Sequence, residues 1–138
     1  MKSACALLFL SISAGAIADC TKPDQSFEDF FAKFSESKNF ALDRTIYPTY
    51  TLRAIPNLEY GDITVTKEMT TISRKDDLPS PTINAILLQN GMNSEIHAMH
   101  HDNVVVKIFK PATDWLLTYE FTKKHGCWYL HHIEDHSL

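Results

Sequence analysis

Four phenylalanines near residue 30 follow a helical repeat. Phe27, Phe30, Phe31 and Phe34 are spaced at i, i+3, i+4 and i+7, which places them on one face of an α-helix. Ser26 precedes them and can cap the helix through its side-chain oxygen. The pattern predicts a helix from Ser26 to Ser37 that packs its aromatic face on a broad apolar surface. A second short helix is expected from Phe40 to Thr45, because residues that precede a proline disfavour helical geometry.

Beyond Pro48 the hydrophobic period changes from that of a helix to that of a strand. Two segments alternate along the chain: Tyr50, Leu52 and Ala54 with Thr51, Arg53 and Ile55, and then Ile63, Val65 and Met69 with Thr64, Thr66 and Thr70. This period of two predicts two strands. Turn signals then recur at roughly 8–12-residue intervals, which is typical of an antiparallel meander. They are Asn90-Gly91, His101-Asp102-Asn103, residues 111–114 and residues 123–126.

The apolar run over residues 83–89 fits a buried strand or a short helix. Asn90-Gly91 favours a hairpin, and therefore a strand, although the same pair also fits the C-terminal cap of a helix. Arg74 to Leu78 is expected to form a helical turn.

The last hairpin carries the strongest strand pattern. One face of its first strand would hold Trp115, Leu117, Tyr119 and Phe121. With an even-length turn, Trp128, Leu130 and His132 of the second strand share that face; with an odd one, Tyr129 and Ile133 replace them. The continuous apolar face suits the phenylalanine helix. The expected fold is therefore α+β, with N-terminal helices packed on a curved, mostly antiparallel sheet.

The first 18 residues have the form of a secretory signal. Lys2 precedes an apolar run from Ala4 to Ile17, and small residues precede the expected cleavage after Ala18. The run is short for a membrane anchor, and Asp19 disfavours lipidation of Cys20. We expect residues 1–18 to be cleaved, and residues 19–138 to form one domain in the periplasm or outside the cell.

The composition is that of a folded, mildly acidic domain. The 138 residues are 44% hydrophobic and 22% charged, with a net charge of −4, which argues against disorder. Loss of Lys2 with the leader makes the mature chain more acidic still. Neither a nucleic-acid partner nor an anionic membrane is expected.

Two cysteines, Cys20 and Cys127, remain after the leader is removed. An even pair in an oxidising compartment predicts a disulfide between them. Two free thiols are the alternative.

Three segments together resemble a known group of proteins. They are the phenylalanine helix, Phe40 followed by the sequence of residues 44–48, and the ending that runs from residue 119 to residue 135 through Gly126-Cys127-Trp128. The chain resembles small secreted bacterial proteins of unknown function with a fold similar to nuclear transport factor 2. The resemblance implies a cone of helices over a curved sheet, and it implies no catalytic residues.

All seven histidines lie after residue 96. His97, His100 and His101 are candidate ligands for zinc, because imidazole suits that metal. Solvated histidines at a strand edge or loop are the simpler interpretation, and no cofactor is the main expectation.

A pocket at the open end of the cone is a second candidate site. It would hold Arg44, Tyr119, Trp128 and His132, since a histidine beside a charged group in an apolar cavity can act in acid-base chemistry. Alternatively, Arg44 forms a structural ion pair with Asp43 or Glu134.

A third candidate is a protein-recognition surface that includes Tyr47, Tyr50, Tyr60 and Trp115. No catalytic motif accompanies it. We therefore expect an exported, non-enzymatic protein that binds a protein partner, for example as an inhibitor or an immunity protein. A cone pocket for a small molecule or a metal ion, with or without acid-base activity, is the alternative.

Overall fold

The computed structural model describes residues 20–59, 62–73 and 81–137. The expected leader and the expected helical turn at residues 74–78 lie outside these residues. The described helices are α1 (Phe27–Glu36), α2 (Lys38–Asp43) and α3 (Ile83–Asn90). The described strands are β1 (Thr45–Glu59), β2 (Asp62–Ile72), β3 (Asn93–His100), β4 (Asn103–Phe109), β5 (Leu116–Lys124) and β6 (Cys127–Asp135).

The six strands form one mixed sheet in the order β2-β1-β6-β5-β4-β3. Strands β3 to β6 follow one another as the predicted antiparallel meander, and β1 lies parallel to β6. The chain is thus α+β, as expected. Within the described part of the chain, no helix is long and apolar enough to cross a membrane.

Helix α1 forms where the phenylalanine spacing predicts it. Ser26 caps it by accepting a 3.1 Å hydrogen bond from the Asp29 backbone N–H. Phe27, Phe30 and Phe34 are buried, and each ring centroid lies between 5.1 and 5.6 Å from that of Phe121 on β5. These edge-on contacts are geometrically favoured for aromatic rings and join α1 to the centre of the sheet. Helix α2 begins and ends two residues earlier than expected.

Residues 83–89 are helical, so the predicted hairpin at Asn90-Gly91 is wrong. Thr82 caps the start of α3, and Gly91 ends it with a left-handed backbone, at φ 61°. The Gly91 N–H donates to the Leu87 carbonyl, and the Asn90 side chain donates to the Ile86 carbonyl. The pair therefore acts as a helix cap, because glycine reaches the left-handed region without a steric penalty.

A β-bulge changes which side chains of β6 face the core. Phe121 pairs with Leu130, whereas Glu120 pairs with His132, so His131 is an extra residue on β6. Beyond this bulge Ile133, rather than His132, packs against the hydrophobic core. The expectation that His132 shares the inner face is therefore wrong, because the inserted residue reverses the alternation.

Strands β1 and β2 form a hairpin that extends past the rest of the sheet. Their register is continuous from Thr49 opposite Ile72 to Glu59 opposite Asp62. The pairing of β1 with β6 ends at Arg53. Beyond Arg53, the described part of the sheet pairs β1 with β2 alone.

Cys20 and Cys127 are joined in the structure, with their Cα atoms 6.4 Å apart. This link ties the segment before α1 to the first residue of β6. A disulfide across a separation of 107 residues restricts the unfolded chain strongly.

Candidate functional site

Arg44 belongs to a cluster that fastens the N-terminal segment to the sheet. Its Nη1 and Nη2 donate to the two carboxylate oxygens of Asp24, at 2.9 and 3.2 Å. Its Nη1 also donates to the Trp128 carbonyl, and the Asp24 carboxylate accepts the Trp128 N–H at 2.8 Å. The two side chains are only 12% and 11% exposed. The structure therefore identifies Asp24 as a partner of Arg44, which sequence reasoning did not name.

Aromatic rings surround the same guanidinium. Its Cζ lies 5.0 Å from the ring centroid of Phe40 and 5.5 Å from that of Tyr129. Such contacts favour a cation. Because the Arg44 side chain is only 12% exposed and both of its Nη atoms donate to Asp24 or Trp128, the geometry favours a structural role.

The side chains of the four residues of the expected pocket face different surroundings. Arg44 donates to the Trp128 backbone carbonyl, whereas the Trp128 ring packs on Phe27 at 5.2 Å. His132 lies opposite Glu120, on the face turned away from the core. Tyr119 alone of the four lines an apolar cavity.

That cavity has a volume of about 100 Å³ and lies between the helices and the sheet. Its walls include Phe34, Ile83 and Leu130, and exposed Lys38 also lines it. Burial, and secondarily the charge of Asp135, raises the pKa of Tyr119 to about 12. The phenol is therefore neutral at ordinary pH.

The three candidate zinc ligands lie on the surface. His97 and His100 are exposed on β3, and His101 in the following turn contacts Asp102 at 2.8 Å. A bulge at His97 interrupts the pairing of β3 with β4. Among all residues that the structure describes, no three histidine, cysteine or carboxylate side chains are arranged to hold a metal ion.

Several apolar side chains with exposed surface lie on one face of the β1–β2 hairpin, and exposed Ile55 lies on the other. Tyr50 and Leu52 pair across the sheet with His132 and Glu134, so they lie on the side opposite the core-facing Ile133. Cross-strand pairing places Met69 on the same side. The set consists of Tyr50, Leu52, Pro56, Val65 and Met69, and we call it the outer apolar patch. Within it, Tyr50, Val65 and Met69 are 40%, 49% and 61% exposed.

Charged groups border the outer apolar patch on β6. The Lys67 ammonium, from β2, pairs with the Glu134 carboxylate, and the His136 ring lies 3.6 Å from Glu134. The hydrogen bond from Lys67 is the main cause that lowers the pKa of Glu134.

His131 adds a titratable group beside this border. Partial burial lowers its pKa, and the nearby Glu120 carboxylate partly opposes that effect. At neutral pH the His131 imidazole is therefore neutral.

Of the aromatic residues expected on a recognition surface, Tyr50 is exposed and Trp115 packs against the core. Tyr47 is half-buried, and Tyr60 lies outside the described residues. The sequence pattern predicts Val65 and Met69 on a strand and at no candidate site. The period-two spacing of these residues indicates a strand, but which face of the hairpin remains uncovered depends on where the helices pack.

No family model and no curated protein matches the chain. The fold is similar to that of an NTF2-like protein from Bacteroides fragilis NCTC 9343, with a TM-score of 0.57 and 15% identity. That likeness covers 83% of this chain and 48% of the other, so this chain spans about half of its length.

An NTF2-like protein of unknown function from Silicibacter pomeroyi DSS-3 also matches. The match has a TM-score of 0.33 and 9% identity, and it covers 78% of this chain and 84% of the other. At 15% identity, the likeness to the Bacteroides fragilis protein concerns architecture and carries no activity. The chain has an NTF2-like fold.

Proposed function

We propose that this chain is an exported, non-enzymatic protein that binds a protein partner through the outer apolar patch. The exposure of Tyr50, Val65 and Met69 on one face of the hairpin carries this proposal. Clustered apolar side chains on a surface are typical of interaction sites.

The composition of the patch also supports a protein partner. Tyrosine and methionine are enriched in protein interfaces, where a polar rim surrounds an apolar centre. Here Glu134 and His136 border the patch, and Lys67, which lies between Val65 and Met69 on the same face, pairs with Glu134. The expected leader and the link between Cys20 and Cys127 support an exported location, and an inhibited enzyme or toxin is the kind of partner that we favour.

A comparison of two aspartate variants as affinity baits tests the proposal. The purified chain and the variants Met69→Asp and Leu88→Asp would be used to capture proteins from the producing organism, with quantification by mass spectrometry. Leu88 is a matched control, because it is a large apolar residue that is 85% exposed on α3.

We expect one protein to be enriched by the unmodified chain and by Leu88→Asp, and at least tenfold less by Met69→Asp. A charge at the centre of an apolar interface costs more than about 1.4 kcal/mol, which corresponds to this factor. Equal capture by all three baits contradicts the proposal.

The cavity beside Tyr119 supports a second candidate, the binding of a small apolar molecule. This candidate assumes that the helices and the curved sheet enclose a cone, as the family resemblance implies. Sites for drug-sized ligands typically measure about 300–1,000 Å³, so a cavity of about 100 Å³ suits only a molecule of a few heavy atoms. The Tyr119 phenol would orient it by a hydrogen bond.

Thermal unfolding in the presence of benzene tests the cavity. We expect benzene to raise the unfolding temperature of the unmodified chain. Its effect on Ile86→Phe should be smaller, because Ile86 lines the cavity and the larger side chain fills part of it. Leu88→Phe, on the exposed side of the same helix, is the control. An equal response of all three proteins counts against this candidate.

A further inference from the structure

Strand β2 lies at one edge of the sheet. A proline on β1 shows which of the backbone groups of β2 point towards β1 and which point away from it. Pro56 on β1 lies opposite Val65. Proline has no N–H, so in an antiparallel ladder this pair is one of those that do not exchange hydrogen bonds. The register is continuous along the hairpin. Hydrogen-bonded and non-hydrogen-bonded pairs therefore alternate from this point.

The alternation assigns the free backbone groups of β2. The N–H and C=O groups of Val65, Lys67 and Met69 point away from β1, whereas those of Thr66 and Glu68 point towards it. The first three residues also carry the side chains of the outer face. No described strand pairs with these groups, so β2 presents a regular row of donors and acceptors along the edge of the sheet.

Natural proteins usually protect such an edge against pairing with another strand by means of prolines, bulges, short strands or lysines. Strand β3, at the other end of the sheet, has a bulge at His97, and the free side of β1 beyond Arg53 carries Pro56. Strand β2 has 11 residues with neither a proline nor a bulge.

The one lysine in the middle of β2 is drawn away from the open side. Its ammonium group pairs with Glu134 on β6, which lies beyond β1 in the sheet. The positive charge of Lys67 therefore lies over the face of the sheet and not outside the edge formed by β2. Of the sheet edges that the structure describes, the edge formed by β2 is the least protected against pairing with another strand.

We propose that β2 pairs antiparallel with β2 of a second copy of this chain, so that two six-stranded sheets join edge to edge. A two-fold symmetric contact needs only one self-complementary surface. The proposal goes beyond the function proposed above, because edge pairing leaves both outer apolar patches open to a partner.

The charges on β2 restrict the register of this pairing. A two-fold centre at Lys67 or at Glu68 places like charges directly opposite each other, which is unfavourable. A centre at Met69 places Lys67 opposite Thr71 and Glu68 opposite Thr70. A centre at Thr66 likewise places no like charges directly opposite. In both favoured registers the outward backbone groups of Met69 take part.

Sedimentation of the purified chain over a range of concentrations tests the proposal, with the variants Met69→Pro and Met69→Ala. Both variants lose the same side chain, but only proline removes the outward N–H. We expect a reversible dimer for the unmodified chain and for Met69→Ala. Met69→Pro loses one hydrogen bond from each copy, so its dissociation constant should rise about tenfold or more.

Amide hydrogen exchange of the unmodified chain provides a readout that does not depend on the folding of a variant. As the concentration rises, the Lys67 and Met69 amides should become protected, while those of Thr66 and Glu68 change little. A chain that remains monomeric at millimolar concentration overturns the proposal. So does a dimer without new protection on β2, or one that a folded Met69→Pro retains at full strength. None of these results bears on capture of a different protein by the outer apolar patch.

Discussion

Replacement of Asp24 by alanine should strongly destabilise the fold without touching the outer apolar patch. The Asp24 carboxylate accepts two hydrogen bonds from Arg44 and one from the Trp128 N–H, and it is 11% exposed. The variant leaves the Arg44 guanidinium partly buried beside Phe40 without its counter-ion. Removing one partner of a buried ion pair typically costs about 3–5 kcal/mol. That is a large fraction of the stability of about 5–15 kcal/mol that is usual for a domain.

Urea unfolding followed by tryptophan fluorescence measures this cost, because both tryptophans, Trp115 and Trp128, lie in the folded domain. At this chain length the melting temperature should fall by about 10–20 °C. Asp114→Ala, in the exposed turn before β5, should change stability by less than about 0.5 kcal/mol.

A double-mutant cycle with Arg44→Ala separates the interaction energy between Asp24 and Arg44 from their contacts with other residues. Because the two side chains contact each other directly, we expect the double variant to be more stable than the sum of the single costs implies, by about 1–3 kcal/mol. A cost of Asp24→Ala below about 1 kcal/mol, or strictly additive single variants, would refute the structural role of the pair.

Three further predictions concern pH, helix α3 and the cysteines. Lys67 lowers the pKa of folded Glu134 below the ordinary value of 4.5. The stability that the ionised Glu134 contributes is therefore present above that pH and is lost as the pH falls through the folded pKa. Glu134→Gln should make the loss of stability with falling pH less steep below about pH 4.5. Gly91→Ala should cost about 1 kcal/mol, because Gly91 has φ 61°, and Gly91→Asn should cost less by the same urea assay; equal costs would contradict a left-handed cap. Titration of the oxidised, denatured mature chain should find no free thiol at Cys20 or Cys127, whereas two titratable thiols would exclude the link.

The sequence predicted the elements whose periodicity is set by local geometry. The phenylalanine spacing located α1 and its cap, and the turn residues located the meander from β3 to β6. Residues 83–89 could not be assigned correctly, because a short apolar run has the same appearance in a strand and in a buried helix. Asn90-Gly91 fits the ends of both, and the left-handed geometry of Gly91 is decided by the fold.

The site was less predictable than the fold, because it depends on contacts between distant segments. The bulge at His131 leaves no mark in the sequence, yet it moves His132 from the core face to the outer face. Asp24 lies 20 residues before Arg44, and only the folded chain brings both to Trp128. The exposure of Met69 similarly depends on which face of the sheet the helices cover.

Photo-cross-linking in the producing cell tests the proposed partner-binding surface most directly. A photoreactive amino acid would replace Met69 in the outer apolar patch, and in a control it would replace Asp114 in the exposed turn before β5. We predict that position 69, but not position 114, forms a covalent adduct with one other protein. Adducts of the same proteins in equal yield from both positions, or none from position 69, would contradict the proposed function.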